Sequence, residues 1–315
     1  MSAADTFPTE CPSGPTADDA NTMSATTVAS ERPVAPAGPA TANAHVTIIE
    51  PRPGWRLVDL RELWRYRDLL WFLTWRSIKV LYAQTAIGVG WAVLQPLCSM
   101  LIFTVVFGRF AGIKSDGVPS AIFSFVALVP WTYFSNALLE ASNSLVNQAQ
   151  MITKVYFPRV ILPLASVLAK LVDFSIAMTM LAALMVWYRC VPNWNVVFLP
   201  LLVLIMLTSA AGLGMWLTAM AIQYRDVKHA LSFVVQLLMY TTPVVYPATI
   251  VPAEWQSLYA VNPMVGVIEG FRAALLGTRP MPWEWIGLGS LSAAVLLFTG
   301  LMYFRRQERV FADVA

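Results

Sequence analysis

The sequence predicts an all-α, polytopic membrane protein of six transmembrane helices, with an amphipathic interfacial helix before them and a short re-entrant or interfacial helical segment before the last span. Three observations carry this prediction. First, 57% of the 315 residues are hydrophobic and only 12% are charged, where soluble domains are about a quarter charged. Second, charge is absent from whole runs: 80–108, 117–139, 190–224, 229–253 and 285–304. Each run meets the roughly 20 residues that cross a hydrocarbon core of about 30 Å. A sixth run, 160–188, is long enough but contains Lys170 and Asp173. Third, the cations alternate from loop to loop. Fourteen lie between Arg52 and Lys79 or after the second, fourth and sixth spans in chain order, against five in the opposite loops. That bias places both termini in the cytoplasm.

Residues 1–54 are rich in Ala, Pro, Thr and Ser and read as a disordered cytoplasmic tail. Residues 55–86 read as the interfacial helix. Leu60, Leu63, Trp64, Leu70, Trp71 and Trp75 recur near helical spacing among Arg61, Arg65, Arg67, Arg76 and Lys79. That suits a helix lying in the cytoplasmic interface, the alternative being one merely packed on another protein surface. Residues 87–315 form the transmembrane domain.

The first span, about 88–107, contains Gln95-Pro96 and an expected kink. The Gly108 to Ser115 loop imitates a phosphate loop but has Ile113 where a glycine must precede the lysine. The chain thus carries no nucleotide-hydrolysing loop of that kind. The second span, about 121–145, holds Trp131, Tyr133 and Phe134, with Glu140 toward its cytoplasmic end.

Between the second and third spans lies Met151-Ile152-Thr-Lys154-Val-Tyr156-Phe157-Pro-Arg159. Pro158 forbids an unbroken helix through it, so it is a cytoplasmic hairpin. In the third span, about 160–187, Lys170 and Asp173 fall roughly 15–20 Å from the cytoplasmic end. Their i, i+3 spacing lets them neutralise each other, either as a structural pair or as part of a path. The fourth span, about 196–222, ends at Gln223-Tyr-Arg225-Asp226. The fifth covers about 230–245. A long outer segment follows, with a short helix at 265–276, and the sixth span is 285–304. Glu254, Glu269 and Glu284 read as solvated loop charges. Two histidines and three scattered cysteines argue against a histidine-rich metal site and a disulfide framework. The cations lie at membrane edges, which argues against nucleic acid as a partner.

Thr153-Lys-Val-Tyr-Phe-Pro-Arg159, Tyr224-Arg-Asp226, Thr242-Pro-Val-Val-Tyr246, Asn262-Pro-Met264 with Phe271-Arg272, and Glu308-Arg-Val-Phe-Ala-Asp313 occur in this order. By these motifs the chain, from about Leu60 onward, resembles the membrane subunit of type 2 ABC exporters of O-antigen, teichoic acid and related surface polysaccharides. The resemblance implies a homodimer in the inner membrane with two copies of a separate cytoplasmic ATPase, which binds the ATP; no cofactor is expected in this chain. It implies a polyprenyl-diphosphate-linked glycan as cargo. Met151, Ile152, Lys154, Tyr156, Phe157, Arg159, Arg225 and Asp226 would then couple to the ATPase. Trp131, Tyr133 and Phe134, alternatively interface anchors, would join Lys170 and Asp173 along the path. Arg76 and Lys79 would meet the diphosphate, or simply mark the cytoplasmic side. A secondary transporter would need an ion relay and internal repeats. A glycan-modifying membrane enzyme would need clustered carboxylates or a metal.

Overall fold

A computed structural model describes residues 60–83, 90–110, 117–154, 157–224 and 226–308. These described residues are helical, with turns and short 3₁₀ segments between, and contain no strand. The expectations for residues 1–59, for Tyr156 and Arg225, and for the last motif beyond Glu308 lie outside them, as does the side chain of Ile152.

The interfacial segment forms two pieces, α1 (Leu60–Arg65) and α2 (Arg67–Tyr82). Asp68 begins α2 and Lys79 sits in its last turn, each at the end of the macrodipole that it complements. Leu73 is buried against the bundle, while Trp64, Trp71, Phe72 and Trp75 point out. That exposed aromatic face is what a helix lying in a lipid interface requires.

The first apolar run forms α3 (Gly90–Phe103), with Pro96 inside it, and widens into a π-helical stretch over Thr104–Phe110. The centre of the fold is α4 (Ser120–Asn147), at 28 residues roughly 42 Å long. Nearly all of its first half is buried. The hairpin holds the short α5 (Ala149–Lys154). The third span is α6 (Ile161–Ala169) and α7 (Leu171–Trp187), whose junction is Lys170 itself. Beyond a 3₁₀ turn over Trp194–Phe198 come α8 (Leu199–Gln223) and α9 (Asp226–Tyr240). The outer segment folds into α10 (Ala253–Tyr259) and α11 (Pro263–Leu276), and α12 (Trp283–Gln307) closes the chain.

Among the described residues, four helical stretches are long and apolar enough to cross a bilayer: Ser120–Asn147, Ile161–Trp187, Trp194–Gln223 and Trp283–Gln307. The first expected span is helical over Gly90–Phe110, the apolar stretch described in it covering Val93–Val106, whereas α9 ends at Tyr240, five residues before the expected boundary. Pro243 and Pro247 account for the early end, since neither can donate to a helical ladder.

Three glycines lock the bundle. Residues two apart lie about 200° apart around a helix, so Gly212 and Gly214 of α8 serve different neighbours. A Cβ on Gly212 would stand 2.5 Å from the Leu297 backbone nitrogen of α12, and one on Gly214 2.9 Å from the Ala141 Cβ of α4. Thr218, one turn on, donates to the Ala141 carbonyl at 2.8 Å. On α12, Gly300 faces the Gly212 backbone in return. Bare backbone at these points lets three long helices approach closely.

Candidate functional site

The hairpin is held from inside the chain. Phe157 is 5% exposed and belongs to a buried cluster that includes Leu73 of α2, Leu145 of α4, Val160 and Ile161, Met215 of α8 and Phe304 of α12. The ring that sequence reasoning offered to a partner's groove is therefore spent within this chain, where it pins the hairpin to four helices. Arg159 reaches the other way: its Nη1 donates to the Glu308 carbonyl at 2.8 Å, and its backbone N–H to Glu308 Oε1 at 3.4 Å. The hairpin is thereby tied to the carboxyl end of α12. Nearby, Gln307 donates to Gln223 Oε1 at 3.2 Å, joining the ends of α12 and α8. Met151 is half-buried, its sulfur 3.7 Å from Arg76 Nη1 of α2, which itself packs on α6. Lys154, at the end of α5, and Asp226, in the first turn of α9, are exposed. Of the described coupling candidates, these two present charge to the outside.

Within the bundle, Lys170 is 8% exposed and stands between two carboxylates. Its Nζ is 3.5 Å from Asp173 Oδ2 and 3.8 Å from Glu140 Oε1. The Tyr82 hydroxyl donates to Asp173 Oδ1. The expected pair is thus part of a four-residue cluster that links α2, α4 and α7. Two cavities adjoin at Lys170. One, of about 330 Å³, is lined by Tyr82, Gln95, Tyr133, Asn136 and Asp173 among others. The second, about 270 Å³, lies beneath α2 and includes Arg76, Glu140, Asn147 and Gln148.

The aromatic candidates divide. Tyr133 faces the first cavity, donating its hydroxyl to the Val167 carbonyl at 3.1 Å and meeting Phe174 edge-on at 5.6 Å. Trp131 and Phe134 contact each other at 5.8 Å and are buried in the main core. Arg76 lines the second cavity, whereas Lys79 lies over the Trp75 ring at 5.8 Å.

At the opposite end a second polar cluster appears that sequence reasoning missed. Glu269, expected as a solvated loop charge, is 7% exposed. Its Oε1 accepts from Arg272 Nη1 at 2.7 Å and from the Ala248 N–H at 3.3 Å. Arg272 also donates to the Val244 and Tyr246 carbonyls at 3.0 and 3.2 Å, and its guanidinium lies over the Phe123 ring at 3.9 Å. Asn262 caps α11 by accepting from the Met264 N–H, and its Nδ2 donates to Thr242 Oγ1 at 3.1 Å. The cause of the error is that α11, expected as a short helix of the outer segment, is buried along nearly its whole length. A charged pair at i, i+3 within an otherwise apolar helix was the available signal. The Thr242–Tyr246, Asn262–Met264 and Phe271–Arg272 motifs thus meet in one hub. The Pro158–Arg159 and Glu308 motifs meet at the other end. Glu254 and Glu284 are exposed, as expected.

A family model described as ABC-2 type transporter matches residues 68–276. The chain is 31% identical over 257 residues to an O-antigen export system permease protein RfbA of Myxococcus xanthus, covering 81% of this chain and 98% of that one. A Klebsiella pneumoniae protein of the same name is 24% identical, over 78% of this chain and 95% of its own. A polysialic acid transport protein KpsM of Escherichia coli is 22% identical, over 74% and 91%. The match spans α2 through α11, both cavities and the outer hub, and with them the chain belongs to the ABC-2 type transporter family, as a membrane transport subunit rather than an enzyme.

Proposed function

We propose that this chain is the permease subunit of an ATP-driven exporter that moves a lipid-linked polysaccharide, O-antigen or a similar surface glycan, across the inner membrane. It works as a homodimer with two copies of a cytoplasmic ATP-binding subunit, which alone binds ATP. The chain spans the membrane six times, Gly90–Phe110 and α9 supplying the two shorter crossings, with both termini in the cytoplasm. The observation that carries this reading is the similarity to the Myxococcus xanthus O-antigen permease, over 81% of this chain and 98% of that one.

The hairpin end gives the reading its mechanics. Lys154 and Asp226 are presented to the ATPase. Phe157 and Arg159 hold the hairpin against α2, α4, α8 and α12, so a push on α5 moves those helices together. Lys170, Asp173 and Tyr133 line the path, and Arg76 with Lys79 receives the diphosphate at its cytoplasmic mouth.

Deletion of the chain from its source cells tests the reading. Lipid-linked glycan should accumulate inside and surface glycan should be lost, with recovery on return of the intact chain. Native mass spectrometry of the purified complex should give two permeases and two ATPases. Normal surface glycan in the deletion strain rejects the function; another stoichiometry rejects the assembly.

A further inference from the structure

The hairpin end and the outer hub are joined by one interlocked body. α12 has no proline and runs about 37 Å, and α8 has proline only in its first turn. Their backbones meet at Gly212 and Gly300. One turn nearer the hairpin the Trp216 ring stacks on Tyr303 at 4.4 Å, and its Nε1 donates to Thr299 Oγ1 at 3.3 Å. At the outer end α11 is wedged between the two. A Cβ on Gly266 of α11 would stand 2.7 Å from the Trp285 carbonyl oxygen of α12, and one on Gly270 2.9 Å from the Leu202 methyls of α8. Pro263 backs onto Gly289 of α12, where a Cβ would come within 3.2 Å of the proline Cα. Backbones this close collide if they slide, so α8, α11 and α12 move together. The other helices that rise from the hairpin end are interrupted. Pro130 stands within α4, α6 gives way to α7 at Lys170, and α3 widens into its π-helical stretch, all places where helices bend.

We propose that α8, α11 and α12 act as a lever that carries the ATPase's push from the hairpin to the outer segment 241–252, with Arg159 and Gly266 as the positioning residues of its two joints. The inference rests on the export reading above and adds the route by which work reaches the outer face. At the inner joint Arg159 clasps Glu308 just beyond α12, and the fully buried Phe304 of α12 lies in the same cluster as Phe157. At the outer joint α11 passes the motion on through hydrogen bonds. Arg272 donates to the Val244 and Tyr246 carbonyls, Glu269 accepts from the Ala248 N–H, and Asn262 donates to Thr242. The Tyr246 hydroxyl in turn meets that of Tyr259 in α10 at 3.1 Å. Since α10 buries none of its residues, it follows the segment that holds it. α9 is the rival route, because it leads from Asp226 straight into this segment. It buries only Leu231 and Val235, and a helix so lightly packed yields under load before it transmits.

The test uses the permease–ATPase complex in lipid nanodiscs. A bimane reporter is attached at Ser257→Cys, an exposed position of α10, in a chain carrying Cys11→Ser, Cys98→Ser and Cys190→Ser; the same complex without the reporter cysteine is the blank. Trapping nucleotide with ATP, Mg²⁺ and vanadate should change the bimane emission. Gly266→Ala pushes α11 off α12 far from the hairpin, and should cut that change about fivefold or more while ATP hydrolysis continues. Arg159→Met should do the same from the inner joint, and Arg159→Lys, which keeps a donor for the Glu308 carbonyl, should restore part of the response. If Gly266→Ala yields no assembled complex, Gly289→Ala, whose methyl meets Pro263 less closely, takes its place. A full-sized response in the glycine variant overturns the lever and gives the route to α9; a full-sized response in Arg159→Met overturns the inner joint and the lever with it. An emission that nucleotide leaves unchanged in a complex that exports glycan also overturns the lever. An unsubstituted complex that exports no lipid-linked glycan refutes the export reading itself.

Discussion

Replacing Glu269 by Ala isolates the energetics of the outer hub. The substitution removes the acceptor of two hydrogen bonds, at 2.7 Å from Arg272 and 3.3 Å from the Ala248 N–H. It leaves a guanidinium that is 3% exposed without its counter-charge. The Val244 and Tyr246 carbonyls and the Phe123 ring still hold Arg272, but they compensate only in part. Breaking a buried pair from one side costs about 3–5 kcal/mol. At roughly 2–4 °C per kcal/mol for domains of this order of size, the melting temperature should fall by roughly 6–20 °C. Glu269→Gln keeps an acceptor and should cost less, about 1.5–3 kcal/mol. Arg272→Met should be worse than either, since it strands a carboxylate and two backbone carbonyls together. The assay is the temperature at which detergent-purified complex loses monodispersity on size-exclusion chromatography. A Glu269→Ala variant that melts within 2 °C of the native protein refutes the reasoning. So does a double variant whose loss equals the sum of the single losses.

Three further outcomes follow from the same contacts. Gly300→Ala places a methyl group against the Gly212 backbone and should cost about 1–3 kcal/mol by overpacking; unchanged membrane yield and melting temperature would contradict the α8–α12 account. Phe157→Ala should destabilise the permease itself by about 3–5 kcal/mol, whereas Lys154→Glu should leave its melting temperature unchanged and weaken ATPase capture; the reverse pattern would return Phe157 to the partner's groove. Burial first, and then the hydrogen bond with Tyr246, pushes the Tyr259 phenol above the usual tyrosine range. Its contribution is whole below about pH 10, the unfolded value, and is lost as pH rises further. Tyr259→Phe should therefore flatten the fall in melting temperature above pH 10, and an unchanged slope would remove Tyr259 from that fall.

The long helices were legible because burial in lipid leaves a one-dimensional mark, a run of residues without charge. Ser120–Asn147 and Trp283–Gln307 each lie within three residues of the expected boundaries. The end of α9 was less legible, because prolines and turns shorten a helix inside an apolar run without any polar marker. Within the site, the Lys170–Asp173 pair could be read from its i, i+3 spacing. Its partners could not: Tyr82 is 91 residues from Asp173, and only tertiary packing brings α2 beneath the bundle. The polar stripe of α4 that lines the two cavities, at positions 132, 136, 140, 144 and 147, was open to inspection, since its period is helical, but a search for chargeless runs passes over Thr, Asn and Ser. Phe157 shows the opposite limit. A hydrophobic residue in a predicted turn has the same sequence signature whether it fills its own core or another protein's.

The most direct test of ATP-driven export is transport in sealed proteoliposomes holding the permease and its ATPase, with both ATPase copies facing the bath. A radiolabelled lipid-linked glycan added outside should become protected from glycosidase only when ATP and both subunits are present. It should be recovered chemically unchanged. Protection without ATP under an imposed ion gradient would make the chain a secondary transporter, and a modified glycan produced by the permease alone would make it an enzyme; either result contradicts the account.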